Sequence, residues 1–113
     1  MKTIIAGGRT LVDPSLVEGA MATCPWTPTE IVSGGASGVD GLGEAWATSN
    51  NIPIQRFPAQ WKKHGRAAGP IRNREMAEYA EALVAIWDGK SKGTKSMIGE
   101  ARKRDLVVHI HRL

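Results

Sequence analysis

The sequence predicts an α/β domain in which five parallel strands, in the expected order 3-2-1-4-5, form a sheet covered by helices on both faces, a three-layer sandwich. Three observations lead there. Short continuous apolar runs alternate with amphipathic stretches of about three turns, giving the order β-α-β-α-β-α-β-α-β. Glycine-bearing loops follow the first, second and fourth apolar runs directly, all at what would be the carboxyl edge of such a sheet. The 113 residues suffice for one domain, residues 1–113, and are too few for two ordinary ones.

The first strand is Thr3-Ile4-Ile5-Ala6, unbroken in its apolarity as a strand buried on both faces requires. Gly7-Gly8-Arg9-Thr10 follows at once. Arg9 can offer a fork of donors to a phosphate or carboxylate; the alternative is that it caps the sheet end and pairs with Asp13. Asp13-Pro14 marks a helix start, with Pro14 suited to the first turn, while Ser15 and Glu18 offer a capping box one turn later. Leu16, Val17, Ala20 and Met21 make the apolar face of that helix, which stops before Pro25; Trp26 is expected to plug the end of the core.

Glu30 to Ser33 forms the second strand. It runs into Gly34-Gly35-Ala36-Ser37-Gly38-Val39-Asp40, three glycines within five residues and then a carboxylate. Glycine allows positive φ and close approach of a ligand to the backbone, and the helix that follows directs free N–H groups at an anion. Val39, Leu42, Ala45 and Trp46 are its expected buried stripe, and it ends near Ser49-Asn50-Asn51. Asp40 near its start can cap N–H groups or accept from a ligand hydroxyl. Glu44, one turn on, would place a second carboxylate beside the glycine loop.

Ile52 to Pro58 reads as a third strand, bounded by prolines that shorten its exposure to the ladder. Ala59 to Gly69 reads as an irregular basic loop in which Trp61, beside Lys62 and Lys63, is either a partly buried loop residue, a lid, or a stacking platform. Pro70 then suits a first helical turn. Arg72, Asn73 and Arg74 would cluster at the positive end of that helix, where like charge is a local cost that an anionic ligand offsets. Met76, Ala77, Ala80 and Leu83 continue its apolar face. Ala82 to Trp87 is the fourth strand, and Asp88-Gly89-Lys90-Ser91-Lys92-Gly93-Thr94 repeats the strand–glycine-loop–helix plan. Gly93 and Thr94 can supply backbone N–H and hydroxyl donors. Met97, Ile98 and Ala101 form the stripe of the last helix, and Asp105 to Ile110 the last strand, with His109 and His111 at edge or surface positions.

Composition narrows the function classes. Hydrophobic residues make up 42% of the chain, which suits a packed domain. Fifteen Lys and Arg against eleven Asp and Glu give a formal charge of +4, compatible with an anionic ligand. Cys24 alone cannot form an internal disulfide, and no stretch approaches the roughly 20 apolar residues of a membrane helix. A cytoplasmic protein with no membrane partner is expected. His64, His109 and His111 lack a metal-ligand spacing, so no metal site and no obligatory cofactor are expected.

With strand order 3-2-1-4-5, the first and fourth strands flank the topological switch point. Gly7-Gly8-Arg9 and Asp88 to Thr94 then face each other across a crevice, and Gly34 to Gly38 form its adjoining wall. No GxxxxGK[ST] or GxGxxG pattern is present at the required place, which disfavours a conventional NTPase or NAD enzyme.

The residues that build this crevice resemble the SLOG superfamily, the Rossmann-like fold shared by the DNA-processing protein DprA and the LOG phosphoribohydrolases. They are most similar to its small YspA-related family, also known as DUF2493, and the resemblance points to a bacterial or phage protein. The resemblance rests on Ile4-Ile5-Ala6-Gly7-Gly8-Arg9, Ser33 to Asp40, Gly69-Pro70-Ile71-Arg72-Asn73-Arg74-Glu75-Met76 and Trp87 to Thr94, spanning nearly the whole chain. It implies binding of a nucleotide or nucleotide-derived ligand, in some branches for sensing, and a homodimer as a candidate assembly. The LOG late motif, Gly-Gly-x-Gly-Thr-x-x-Glu, aligns its Gly-Thr with Gly93-Thr94 and so places Met97 where the glutamate stands, which argues against simple transfer of LOG chemistry. DprA's extra domains are not in this sequence.

The expected ligand site therefore comprises Gly7, Gly8, Arg9, Gly34, Gly35, Ser37, Gly38, Asp40, Arg72, Asn73, Arg74, Asp88, Gly89, Gly93 and Thr94. The arginines would hold phosphate, and Asp40 or Asp88 would read ribose or base. Two alternatives stand beside binding or sensing. One is nucleoside monophosphate N-glycosidase or ribosyl-transfer chemistry with Asp88, Asp40 or Glu44 as the catalytic carboxylate. The other is association with single-stranded nucleic acid through Trp61, Lys62, Lys63 and Arg66.

Overall fold

In the computed structural model, which describes residues 1–113, the apolar run Lys2–Gly7 (β1) lies at the centre of a five-stranded parallel sheet. Glu30–Ser33 (β2) and Ala82–Trp87 (β4) flank it, and Ile54–Arg56 (β3) and Val107–Arg112 (β5) are the edges, so the order is β3-β2-β1-β4-β5. Ile4 stands opposite Val32 on one side and Leu83 on the other. Helices Ser15–Ala22 (α1), Val39–Ser49 (α2), Trp61–His64 (α3), Ala68–Tyr79 (α4) and Lys92–Lys103 (α5) fill the connections. This is the Rossmann-like three-layer sandwich expected from the alternation of elements.

Successive strand residues point to opposite faces, and the core divides accordingly. Ile4, Ala6, Val32, Leu83 and Ala85 pack with Met76, Ala77 and Ala80 from the α4 side and Met97, Ile98 and Ala101 of α5. Ile5, Ile31, Val84 and Ile86 pack with Val17 and Ala20 of α1 and Val39 and Ala47 of α2. Each fully buried aliphatic contributes about 1.5–3 kcal/mol of transfer free energy, concentrated in β1 and β4, the two strands between which the crevice opens.

Several local expectations change. The buried residues of α2 are Val39, Asp40, Gly43 and Ala47, whereas Leu42 and Trp46 lie at the rim and Ala45 is exposed. Gly43 brings the helix close enough that a Cβ there would stand 3.1 Å from Ile5, so small residues rather than large ones face the sheet. β3 is three residues long, not seven, because Pro53 and Pro58 supply no ladder donor. The basic stretch after it is not irregular: it forms α3, a 3-10 turn at Gly65–Ala67, and then α4 from Ala68, two residues before Pro70. Leu83 belongs to β4 rather than to the face of α4. Asp105 takes φ +59° in a turn, so β5 starts at Val107. At the start of α1 it is Asp13 Oδ1 that accepts from Ser15 N–H at 3.0 Å, in place of a Ser15–Glu18 box. Trp26 plugs the core end as expected, donating from Nε1 to Thr3 Oγ1 at 3.0 Å. His109 lies on edge strand β5 and is hydrogen-bonded to Thr23.

One backbone contact fixes how the loops after β1 and β2 meet. Val39 N–H, first in α2, donates to Gly8 C=O at 3.1 Å. Gly38 beside it has φ +73° and ψ −129°, and a Cβ there would overlap the carbonyl groups of Gly8 and Arg9. Gly38→Ala is therefore expected to cost about 3 kcal/mol, lowering the melting temperature by about 13 °C. Calorimetry of the variant checks this; a loss within 2 °C or so would contradict the fit of the two loops.

Candidate functional site

A cavity of about 450 Å³ opens at the carboxyl ends of β1 and β4, within the size range of small-molecule sites. Ala6, Gly7 and Arg9 reach it from the end of β1, and Ala36 and Asp40 from the start of α2. Trp61 stands on α3, and Gly69, Pro70, Arg72 and Asn73 come from α4. The opposite wall is the start of α5, Ser91 to Thr94 with Ser96 and Met97. A second depression, of about 350 Å³, adjoins it and is lined by Gly34, Gly35, Ser37 and Pro58, with Arg9, Ala36, Trp61 and Arg72 shared between the two.

The α5 wall is rich in donors. The backbone N–H groups of Lys92, Gly93 and Thr94 lie in the first helical turn, have no intrahelical acceptor, and take no other partner in the chain. Ser91 and Thr94 hydroxyls are 3.2 Å apart and Ser91 C=O accepts from Trp87 Nε1 at 3.2 Å, which sets the entry of the helix. Asp88 secures the same loop from behind. Its Oδ1 accepts from Lys90 and Ser91 N–H, both at 2.8 Å, and these bonds, Ser91 first, hold its carboxyl below the usual range.

The α2 and α4 walls are joined by a buried guanidinium. Arg72 Nη1 donates to Gly34 C=O at 2.6 Å and Nε to Asn73 Oδ1 at 3.1 Å. Asn73 Nδ2 reaches on to Gly93 C=O and Ser96 Oγ, both at 3.4 Å. Gly34 is required by this approach: a Cβ there would lie 2.6 Å from Arg72 Nη1 and 2.8 Å from Asp40 Oδ2. Asp40 is buried, and Oδ2 accepts from Ala36 N–H at 3.0 Å. Oδ1 has no partner in the chain and is not sealed from solvent. Burial pushes the Asp40 carboxyl up, against the opposing pull of the Ala36 N–H and the Arg72 charge. Burial likewise works against the charge of Arg72, with Asp40 countering it.

The expected site residues thus separate into groups. Gly7, Arg9, Asp40, Arg72, Asn73, Gly93 and Thr94 share the main cavity, and Gly34, Gly35 and Ser37 line the adjoining depression. Gly8 and Gly38 hold the two loops together beneath it. Asp88, Gly89, Glu44 and Arg74 line neither space. Gly89 packs under the Arg112 guanidinium. Glu44 binds Ser33 Oγ at 2.7 Å and Arg56 at 2.8 Å; burial pushes its carboxyl up, but these bonds outweigh it and the net direction is down. Arg74 lies one residue, about 100° of helix, beyond Asn73 and faces Glu78 at 3.9 Å. Ser91 and Ser96 were not anticipated. Ser96 could have been found from helical spacing, since Gly93, Ser96 and Met97 fall at i, i+3 and i+4.

Residues 1–64 match the YAcAr family, described as the YspA, cpYpsA-related SLOG family. The Gene 61 protein of Mycobacterium phage D29 is 32% identical over 117 residues, covering 95% of this chain and 93% of that protein. No solved structure gives a significant match. The matched residues 1–64 include the loops after β1 and β2 and Trp61; the α4 and α5 walls lie beyond them.

Asp40→Asn keeps an acceptor for Ala36 N–H and removes the buried charge. A carboxyl whose folded pKa exceeds its ordinary value of 3.8 stabilises the fold most fully below that value, and this contribution is lost as pH rises through the folded pKa. The variant should therefore melt above the parent at pH 7.5, by about 4 °C for an effect on the order of 1 kcal/mol, with the margin closing as pH falls toward 4. Melting curves across this range check it; a margin independent of pH would contradict the assignment to the Asp40 charge.

Proposed function

The chain belongs to the YspA, cpYpsA-related SLOG family, and from that premise we propose that it binds, as a sensor or carrier, a nucleotide or nucleotide-derived phosphate at the carboxyl ends of β1 and β4. The observation that carries this reading is the convergence, on one cavity, of three unpartnered N–H groups at the start of α5, the cations of Arg9 and Lys92, and the carboxylate of Asp40. A helix N-terminus with free N–H groups favours an anion, and Lys92 and Arg9 add charge where a phosphate would lie. Asp40 Oδ1, an acceptor without a donor, suits a ribose hydroxyl. Arg72 Nη1 and Nε go to Gly34 C=O and Asn73 Oδ1, and Asn73 Nδ2 to Gly93 and Ser96, so both residues hold the walls in register, while Arg72 Nη2 takes no partner in the chain and leaves donors for an anion in the cavity that Arg72 lines.

A second reading, N-glycoside cleavage, draws on Asp40 alone. Of the three carboxylates considered, only Asp40 lines the cavity, and burial raises its carboxyl pKa, the direction a proton donor needs. Glu44 and Asp88 are committed to hydrogen bonds elsewhere.

Titration calorimetry against the nucleoside mono- and diphosphates should find one saturable site. Lys92→Ala should weaken it about tenfold, the loss of one charge-assisted bond. Absence of saturable binding by every member would overturn the proposal. Chromatography of the same mixtures decides the second reading: free base appearing with time would establish cleavage, and its absence alongside binding would exclude it for these substrates.

A further inference from the structure

Three of the four tryptophans are half-buried and serve the core or its edges. Trp26 donates to Thr3, Trp87 donates to Ser91, and Trp46 packs beside the α1–α2 cluster. Trp61 does none of these. It is 49% exposed, its Nε1 has no acceptor in the chain, and it belongs to neither core cluster. It nevertheless borders both the main cavity and the adjoining depression. Its ring rests near Gly69, where a Cβ would stand 3.6 Å from Cη2, and the Arg9 guanidinium lies 5.6 Å from the ring centre.

We propose that Trp61 is the base-stacking residue of this site, which narrows the ligand to phosphates that carry a nucleobase rather than sugar phosphates. The inference rests on the nucleotide-phosphate reading above. A large aromatic left half in water forgoes much of its burial free energy, and here it is held beside a donor-rich cavity. The π-face of Trp61 accepts any base without hydrogen-bond readout. In the free protein Arg9 stands over that ring, a cation–π contact that at an exposed position is weaker than base stacking. A base entering beside Trp61 displaces Arg9, and the freed guanidinium turns to the phosphate. Base and phosphate recognition are thereby coupled through one side chain.

The test compares adenosine 5′-monophosphate with ribose 5-phosphate by calorimetry on the parent, Trp61→Ala and Trp61→Phe. The parent should prefer the nucleotide about tenfold or more. Trp61→Ala should lose that preference while binding ribose 5-phosphate at least as tightly as the parent, since the ring no longer holds Arg9, and Trp61→Phe should retain most of the preference. Nucleotide-dependent quenching of tryptophan fluorescence should disappear in Trp61→Phe although calorimetry still registers binding. Equal loss of both probes in Trp61→Ala, or quenching that persists undiminished in Trp61→Phe, would assign Trp61 a structural role and overturn the proposal. Ribose 5-phosphate bound as tightly as the nucleotide by the parent would overturn it while leaving the phosphate site intact. Failure of the parent to bind either probe would overturn the phosphate reading, and the stacking assignment with it.

Discussion

A buried guanidinium with no carboxylate in ion-pair contact sets the terms for the rest of this molecule. Arg72 is 9% exposed, and its hydrogen bonds go to the carbonyl of Gly34 and the side-chain oxygen of Asn73. Removing such a charge from water costs several kcal/mol unless its donors are satisfied. Part of that satisfaction comes from the loop after β2, whose Gly34 carbonyl stands 2.6 Å from Nη1. Asn73 then passes the constraint to α5 through Gly93 and Ser96. The result is a run of hydrogen bonds from α2's entry, across α4, to the start of α5, along one side of the cavity.

Other polar groups at the site divide between the two loops. In the loop after β2, Gly35 N–H is taken by Ser33 Oγ, Ala36 N–H by Asp40 and Val39 N–H by Gly8. At the start of α5 the N–H groups of Lys92, Gly93 and Thr94 take no partner in the chain, and these residues line the main cavity. Asp40 sits between the two with one oxygen engaged and one open, and burial makes its charge costly in the absence of a donor.

Much of this was legible in the chain. The unbroken apolarity of Ile4-Ile5-Ala6 and Ala82 to Trp87 identifies strands covered on both faces, and the glycines that follow them mark where the chain turns at the sheet edge. Residues within those turns, Gly7, Arg9, Gly93 and Thr94, could be assigned to one crevice because a parallel sheet puts all its strand ends on the same side. Arg72 and Asn73 were visible as a polar pair near a helix start. Arg74, next in sequence, shares their chemistry and not their position, since one residue of helix turns it toward Glu78.

The sequence by itself determined the order of elements, the parallel sheet and the edge at which its loops gather, because these follow from periodicity and from the backbone freedom of glycine. It also carried the motifs that relate the chain to its family. Only the tertiary structure decided which carboxylates face the cavity. Asp40, Glu44 and Asp88 are equivalent as residue types near glycine loops, but Arg56 and Ser33 draw Glu44 away, the N–H groups of Lys90 and Ser91 draw Asp88 back, and Asp40 alone lines the cavity. The orientation of a polar side chain depends on which partners the fold brings within 3 Å or so, and those partners come from parts of the chain whose spacing in sequence says nothing of their distance.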